Sequence, residues 1–200
     1  MTVKELVLAT GNRNKVAEIK TLLQVLPLEL FTLDQYPGLI MPEEDQPDFA
    51  GNAAKKAEAV ARYSGKISLA DDSGLEVDAL GGKPGVYSAR YAGEEGNYAA
   101  NNRLLLDEMK NTPPEKRGAR FVCAIAITVP GDQTYLIEEY CPGRIAESPR
   151  GDGGFGYDPL FIYEPAGLTF AEMTADHKNA VSHRGRALRR TRQLLEQLVL

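Results

Sequence analysis

VKELVLATGNRNKVAEIKTLLQVLPLELFTL (residues 3–33) decides the fold class. Residues 3–9 read as a short buried strand that ends at the turn Thr10-Gly11-Asn12. Between Asn14 and Leu26, apolar side chains stand at Val16, Ile19, Leu22, Leu23 and Leu26. Those steps of three and four residues make one face of a helix. Pro27 stops it, and LELFTL (28–33) alternates like a strand. A strand–turn–helix–strand opening is the start of an α/β domain.

The same interleaving continues outward. Asp48 is an N-cap for an alanine-rich helix over Phe49 to Ser64, closed by Gly65. Ile67 to Ala70 reads as a short strand that runs into Asp71-Asp72-Ser73-Gly74, and LEVDAL (75–80) as a second. A Gly/Pro-rich loop (81–93) precedes a helix from about Asn97 to Met109. Two apolar strands (120–129 and 133–141) flank Pro130-Gly131-Asp132, a hairpin turn that implies a mixed sheet. A glycine cluster (151–159) leads into a strand at 160–163. Thr169 and Glu172 have capping-box spacing for a helix start, and a last helix runs from Ser182 to Leu198. No repeat or separating linker interrupts residues 1–200, so one domain is expected.

Composition narrows the function classes. At 200 residues with 43% hydrophobic and 26% charged side chains, the chain has globular composition and buries roughly 70% of its unfolded surface. The 23 Lys and Arg against 28 Asp and Glu give a formal net charge of −5. That sign disfavours extended nucleic-acid binding but leaves room for a small anion in a local basic pocket. Cys123 and Cys141 form no CxxC and read as reduced thiols. The longest N-terminal apolar run, Leu6 to Ala9, is too short for a targeting segment, and no stretch approaches the length of a membrane helix. A cytoplasmic protein without membrane contact is expected.

Four segments can carry chemistry. Thr10-Gly11-Asn12-Arg13-Asn14-Lys15 joins strand to helix, where backbone N–H groups attract anions and glycine permits close approach. The closing Gly-Lys-Ser/Thr of a Walker loop is absent. An ordinary βα turn with solvated basic residues reads equally from this spacing. Asp71 and Asp72 repel each other and need a metal or buried donors. Alternation points them to opposite faces, so one reaches a ligand while the other supports it. With Glu43 or Glu44 they suit Mg²⁺, and an exposed turn is the plain alternative. In the Gly151–Pro159 loop, Phe155 and Tyr157 offer flat surfaces to a nucleobase or to the core, and Asp158 precedes Pro159. Finally, Lys178, Ser182, His183, Arg184 and Arg186 gather hydrogen-bond donors. Neither histidine has a zinc pattern, and no nucleophile elbow is present.

The order of these motifs resembles the inosine triphosphate pyrophosphatase family, which cleaves non-canonical purine nucleoside triphosphates. The resemblance runs through LATGNRNK (8–15), LADDSGLEVDALGGKPGVYSARYAG (69–93), GGFGYDP (153–159) and SHRGRAL (182–188). It implies a two-lobed α/β domain around a long mixed β-sheet, with the active-site cleft between lobes, usually as a homodimer. It implies Mg²⁺-dependent hydrolysis of ITP, dITP and XTP to the monophosphate and pyrophosphate, with no nucleic-acid partner. By matched position, Thr10, Gly11, Asn12, Arg13, Asn14 and Lys15 hold the triphosphate. Asp72 is the general base and a metal ligand, Glu44 the other ligand, and Ser73 a substrate contact. Phe155, Gly156, Tyr157 and Asp158 line the base and sugar pocket, and Lys178, His183 and Arg184 read the keto edge. Lys56 stands where members place a phosphate-facing lysine. One departure is Gly51, where members often carry Glu, and its expected effect is a looser helix start. A modified-pyrimidine pyrophosphatase and a non-catalytic nucleotide sensor are the competing readings.

Overall fold

The computed structural model describes residues 4–199. Its first elements are β1 (Lys4–Leu8), α1 (Arg13–Leu23) and β2 (Leu28–Thr32), and β1 pairs in parallel with β2, placing Leu6 beside Leu30. Val3, read as part of the first strand, lies outside the described residues. The first helix stops short of Leu26 because the residue before a proline avoids helical backbone, and Pro27 unwinds the preceding turn. α2 (Phe49–Ser64) has the predicted ends. The Asp48 side chain accepts from the Gly51 N–H at 2.7 Å, and Gly65 closes the helix at φ 67°.

β3 (Ile67–Val77) corrects the sequence reading. Asp71-Asp72-Ser73-Gly74 is no turn between two strands but the middle of one, buried along most of its length. Aspartate disfavours strands when its carboxylate must stay in water. Here each carboxylate finds a lysine, described below, and that pairing outweighs propensity. The expected continuation to Leu80 is instead a 3-10 turn ended by Gly81 at φ 63°.

α3 (Tyr98–Glu108) is capped by Asn97, whose side chain accepts from Ala100 N–H at 3.1 Å. β4 (Gly118–Thr128) and β5 (Thr134–Ile145) flank the expected turn, with Gly131 at φ 77°. β6 (Phe161–Tyr163) and β7 (Leu168–Thr169) are short. The Thr169/Glu172 capping box forms, but it opens only a 3-10 turn at Phe170–Glu172. The helix that follows, α4 (Ala175–Val181), escaped the sequence reading and starts from a Thr174 cap. α5 (His183–Val199) is the last element among the described residues. The sheet order is β2-β1-β3-β4-β5-β6-β7. β1 runs parallel to both neighbours, whereas β6 is antiparallel to β5 and β7, which makes the sheet mixed.

Contacts divide the chain into two compact units. The first takes the chain up to Asp72, Cys123–Glu139 and the chain from Gly185 on. Its core joins Leu6 and Leu8 to Ile19, Leu69, Ile125, Leu188 and Leu195. The second takes Ser73–Val122 and Tyr140–Arg184, around Leu75, Leu105, Phe121, Phe161 and Phe170. Each such side chain, fully buried, contributes about 1.5–3 kcal/mol. Cys123 and Cys141 are both buried and free of disulfides. Among the described residues no helix is long and apolar enough to cross a membrane.

Candidate active site

In the first unit, β1 hands the chain to α1 through Thr10–Asn12. The Thr10 hydroxyl accepts from Asn12 N–H at 3.2 Å. Asn12 is the N-cap, its side chain accepting from Asn14 N–H at 3.0 Å and Lys15 N–H at 3.3 Å, while its carbonyl takes the Val16 N–H. The N–H groups expected to attract an anion at residues 14 and 15 are thus already engaged by the cap. Positive charge at this loop comes instead from the side chains of Arg13 and Lys15. A Cβ built on Gly11 would meet nothing within 4 Å, and its φ is not left-handed. Neither backbone conformation nor packing against the protein demands glycine there.

The strand alternation of β3 sends its two aspartates to different lysines. Lys15 Nζ lies 2.6 Å from Asp71 Oδ1, and the Asp71 carboxylate, wholly buried, also takes Cys123 Sγ at 3.4 Å on Oδ2. Lys56, from the second turn of α2, sits between two acids. Its Nζ is 2.8 Å from Asp72 Oδ1, 2.8 Å from Glu44 Oε1 and 3.2 Å from the Asp71 carbonyl, which Lys15 Nζ also reaches at 3.3 Å. Glu44 is half-buried and faces this lysine, whereas Glu43 is exposed.

Burial lifts the Asp72 carboxyl above its ordinary value. Lys56 and Lys15 pull against that rise, and Glu44 adds to it. Burial works the other way on Lys56, but Asp72 and Glu44 outweigh it and the ammonium titrates above an ordinary lysine. A carboxylate that holds a proton more readily than usual suits a general base.

The second unit carries the remaining candidates. The loop into β6 turns on Gly151, Gly154 and Gly156, all at positive φ. At Gly154 a Cβ would come 2.0 Å from Asp158 Oδ2, so only glycine lets the loop wrap this carboxylate. Asp158, itself buried, accepts from Phe155 N–H at 2.8 Å and from Lys178 Nζ at 2.7 Å. Lys178 Nζ stands 4.7 Å from the centre of the Phe155 ring and Arg184 Cζ 5.5 Å from it. Phe155 is half-buried, with the Tyr98 ring 6.1 Å away on α3. One turn along that helix, Asn102 Nδ2 donates to the Gly156 carbonyl at 3.0 Å.

Tyr157 and His183 are buried. Tyr157 belongs to the core of this unit, and its hydroxyl donates to the Ser88 carbonyl at 2.9 Å. Burial pushes that hydroxyl's pKa upward. The side chain expected to line a base pocket is therefore a core side chain. The His183 imidazole is buried too, stacked 4.6 Å from Phe121. Ser73 follows Asp72 on β3 and is half-buried. Sequence reasoning gave no role to Tyr98 or Asn102, since nothing in a sequence places α3 against the Phe155 loop. It likewise left open which lysine answers which aspartate.

Could a divalent cation fit? Glu44 and Asp72 converge on one ammonium, so a single cation already sits between them. Among the described residues no three His, Cys, Asp or Glu side chains gather as a closed metal cage. Mg²⁺ is usually held by one or two carboxylates and completed by water and substrate phosphates. The hard-oxygen pair fits that ion.

The chain is similar to known proteins along nearly its whole length. Proteins named dITP/XTP pyrophosphatase from Geobacter sulfurreducens and Bacillus subtilis are 52% and 47% identical to it, over 92% of both chains and over 97% and 98% respectively. A solved HAM1 protein from Coxiella burnetii superposes with a TM-score of 0.89 at 36% identity, covering 98% of this chain and 100% of the other. With residues 6–194 matching the family as a whole, this chain belongs to the Ham1 family.

Proposed function

We propose that the protein hydrolyses non-canonical purine nucleoside triphosphates, ITP, dITP and XTP, to the nucleoside monophosphate and pyrophosphate, with Mg²⁺. The observation that carries the reading is the pairing of Asp72 and Glu44 on Lys56. It gathers a base of raised pKa, a second hard ligand and a phosphate-neutralising ammonium at one position. Relatives named dITP/XTP pyrophosphatase at about half identity support the same reaction.

Each residue then has a task. Thr10 to Lys15 hold the triphosphate, with the open side of Gly11 letting an oxygen approach the backbone. Lys15 and Lys56 neutralise phosphate charge, and Ser73 contacts the substrate. Asp72 takes a proton from the attacking water, a contribution of roughly 10²–10⁴-fold. The water oxygen bonds to the α-phosphorus, the bond to the bridging oxygen breaks, and pyrophosphate carries off the electron pair. Asp72 and Glu44 would hold Mg²⁺, which when bound would supply charge stabilisation on the phosphates.

In the second unit Phe155 stacks on the base, with Gly156 and Asp158 shaping its loop and Tyr157 anchoring it. Lys178, His183 and Arg184 face the purine's keto edge. Their donors complement a keto oxygen at the base's six-position, whereas adenine's amino group presents a donor to a donor. Unpaired buried polar groups of this kind discriminate against adenine by about 10⁴-fold, whereas guanine shares the keto oxygen and is rejected through another part of the base. The reading further makes residues 1–200 one functional domain, a cytoplasmic homodimer acting on the free nucleotide pool rather than on nucleic acid. Sedimentation equilibrium tests the dimer.

The deciding assay offers ITP, dITP, XTP, ATP and GTP with Mg²⁺ and separates pyrophosphate from orthophosphate. Pyrophosphate from the first three, and little from the last two, is expected. Orthophosphate would overturn the bond assignment, and no product would favour the modified-pyrimidine enzyme or the silent sensor.

A further inference from the structure

The segment 44–48 does not wander over α2 but runs back along it, tied residue by residue. Glu44 Oε1 meets Lys56 Nζ at 2.8 Å, and Asp45 Oδ1 meets Lys55 Nζ at 2.8 Å. The Gln46 N–H donates to Asn52 Oδ1 at 3.0 Å, and Asp48 Oδ1 accepts from Gly51 N–H at 2.7 Å. Rising numbers in the strap meet falling numbers in the helix, as in a zip. The exposed Asp45–Lys55 pair contributes little. The Gln46–Asn52 bond is different, because Asn52 is wholly buried and its amide oxygen fixes a backbone N–H rather than a mobile side chain.

Gly51 completes the device. A Cβ there would lie 2.9 Å from Gln46 Cβ and 3.1 Å from Asp48 Oδ1. Real side chains do not come so close, so a residue without one lets the strap lie flat on the helix. The glycine thus allows a close contact between strap and helix.

We propose that Asn52 is a positioning residue for cation binding, acting through Gln46 to hold the Glu44 carboxylate beside Asp72. The inference rests on the reading of Glu44 and Asp72 as the metal ligands. A loop carboxylate free to swing would have to be ordered each time a cation arrived, and residues that orient ligands typically change metal affinity by about 10–100-fold. Asn52 touches neither cation nor substrate in this scheme. Its effect belongs to metal affinity, not to proton transfer by Asp72.

The test uses the full chain and Mn²⁺ as probe, with free Mn²⁺ followed by electron paramagnetic resonance in the absence of nucleotide. Asn52→Leu keeps the size of the side chain and removes the acceptor. It is expected to raise the Mn²⁺ dissociation constant about tenfold and to raise the Mg²⁺ concentration for half-maximal turnover in parallel, with kcat at saturating Mg²⁺ within about threefold of wild type. In the Asn52→Leu background, Glu44→Gln is expected to weaken Mn²⁺ binding far less than it does alone. Asn52→Ala, which removes the same acceptor, is expected to show a similar rise and serves if the leucine variant does not fold.

Unchanged Mn²⁺ affinity in Asn52→Leu, or in Asn52→Ala where the leucine variant does not fold, overturns the role of Asn52. If Glu44→Gln alone leaves Mn²⁺ binding untouched, it is the ligand assignment beneath it that fails.

Discussion

Lys15 Nζ and Asp71 Oδ1 stand 2.6 Å apart, with the carboxylate wholly buried and the lysine nearly so. Removing one partner of such a pair strands the other charge in a poor solvent. Lys15→Met is therefore expected to lower stability by about 3 kcal/mol, read as a shift in the urea midpoint. Replacing both, Lys15→Met with Asp71→Leu, is expected to regain most of that loss while turnover stays low. A double variant no more stable than the single would show that the pair is not the source of the loss.

Asp72→Asn keeps the shape of the side chain and abolishes its basicity. Turnover of ITP is expected to fall by roughly 10²–10⁴-fold with the circular dichroism spectrum preserved. Near-wild-type rates would remove Asp72 as the base.

At Gly11 the protein itself leaves room for a methyl group. Gly11→Ala is expected to hold or raise the melting temperature, since it restricts the unfolded chain by about 0.4–1 kcal/mol. KM for ITP should nevertheless rise several-fold if a phosphate oxygen occupies that room. A variant with unaltered kinetics would place the triphosphate elsewhere.

Phe155→Ala removes the ring between Tyr98, Lys178 and Arg184. Loss of stacking worth roughly 1–3 kcal/mol corresponds to a weakening of about 5- to 150-fold, expected chiefly in KM. If both KM and kcat hold, Phe155 is not part of the base site.

Arg117 tests stability apart from chemistry. Its buried guanidinium donates to the carbonyls of Met109, Thr112, Ile145 and Ala146 at 2.8–3.2 Å. Arg117→Met leaves those acceptors without their donor and is expected to cost on the order of 3 kcal/mol in denaturant unfolding. A loss under 1 kcal/mol would mean that water replaces the donor.

Much of the fold was legible because local signals agreed. Asp48 and Gly65 bound α2 where their chemistry says they should, and the apolar spacing of Val16, Ile19 and Leu23 located α1. The failures arose where a partner far along the chain decides. Asp71-Asp72-Ser73-Gly74 reads as a break between two strands until Lys15 and Lys56, distant by 56 and 16 residues, neutralise the two acids within one. Tyr157 reads as a pocket wall until the Ser88 carbonyl claims its hydroxyl. α4 escaped notice because seven residues carry too little periodicity. At the site, residue types pointed to acids, lysines and an aromatic ring, but the matching of Lys15 to Asp71 and Lys56 to Asp72 needed the geometry.

That Asp71 and Asp72 lie inside a continuous strand makes their assignment a matter of parity. Side chains of a strand alternate, so a shift of one residue trades one face for the other. One residue inserted between Leu69 and Asp71 would present Asp71 to Lys56 and send Asp72 out of reach, although composition and strand content would hardly change. A two-residue insertion would keep the faces and only displace the acids along the strand. The chemistry of this segment is thus protected less by which residues it contains than by whether their count from the strand's start is odd or even.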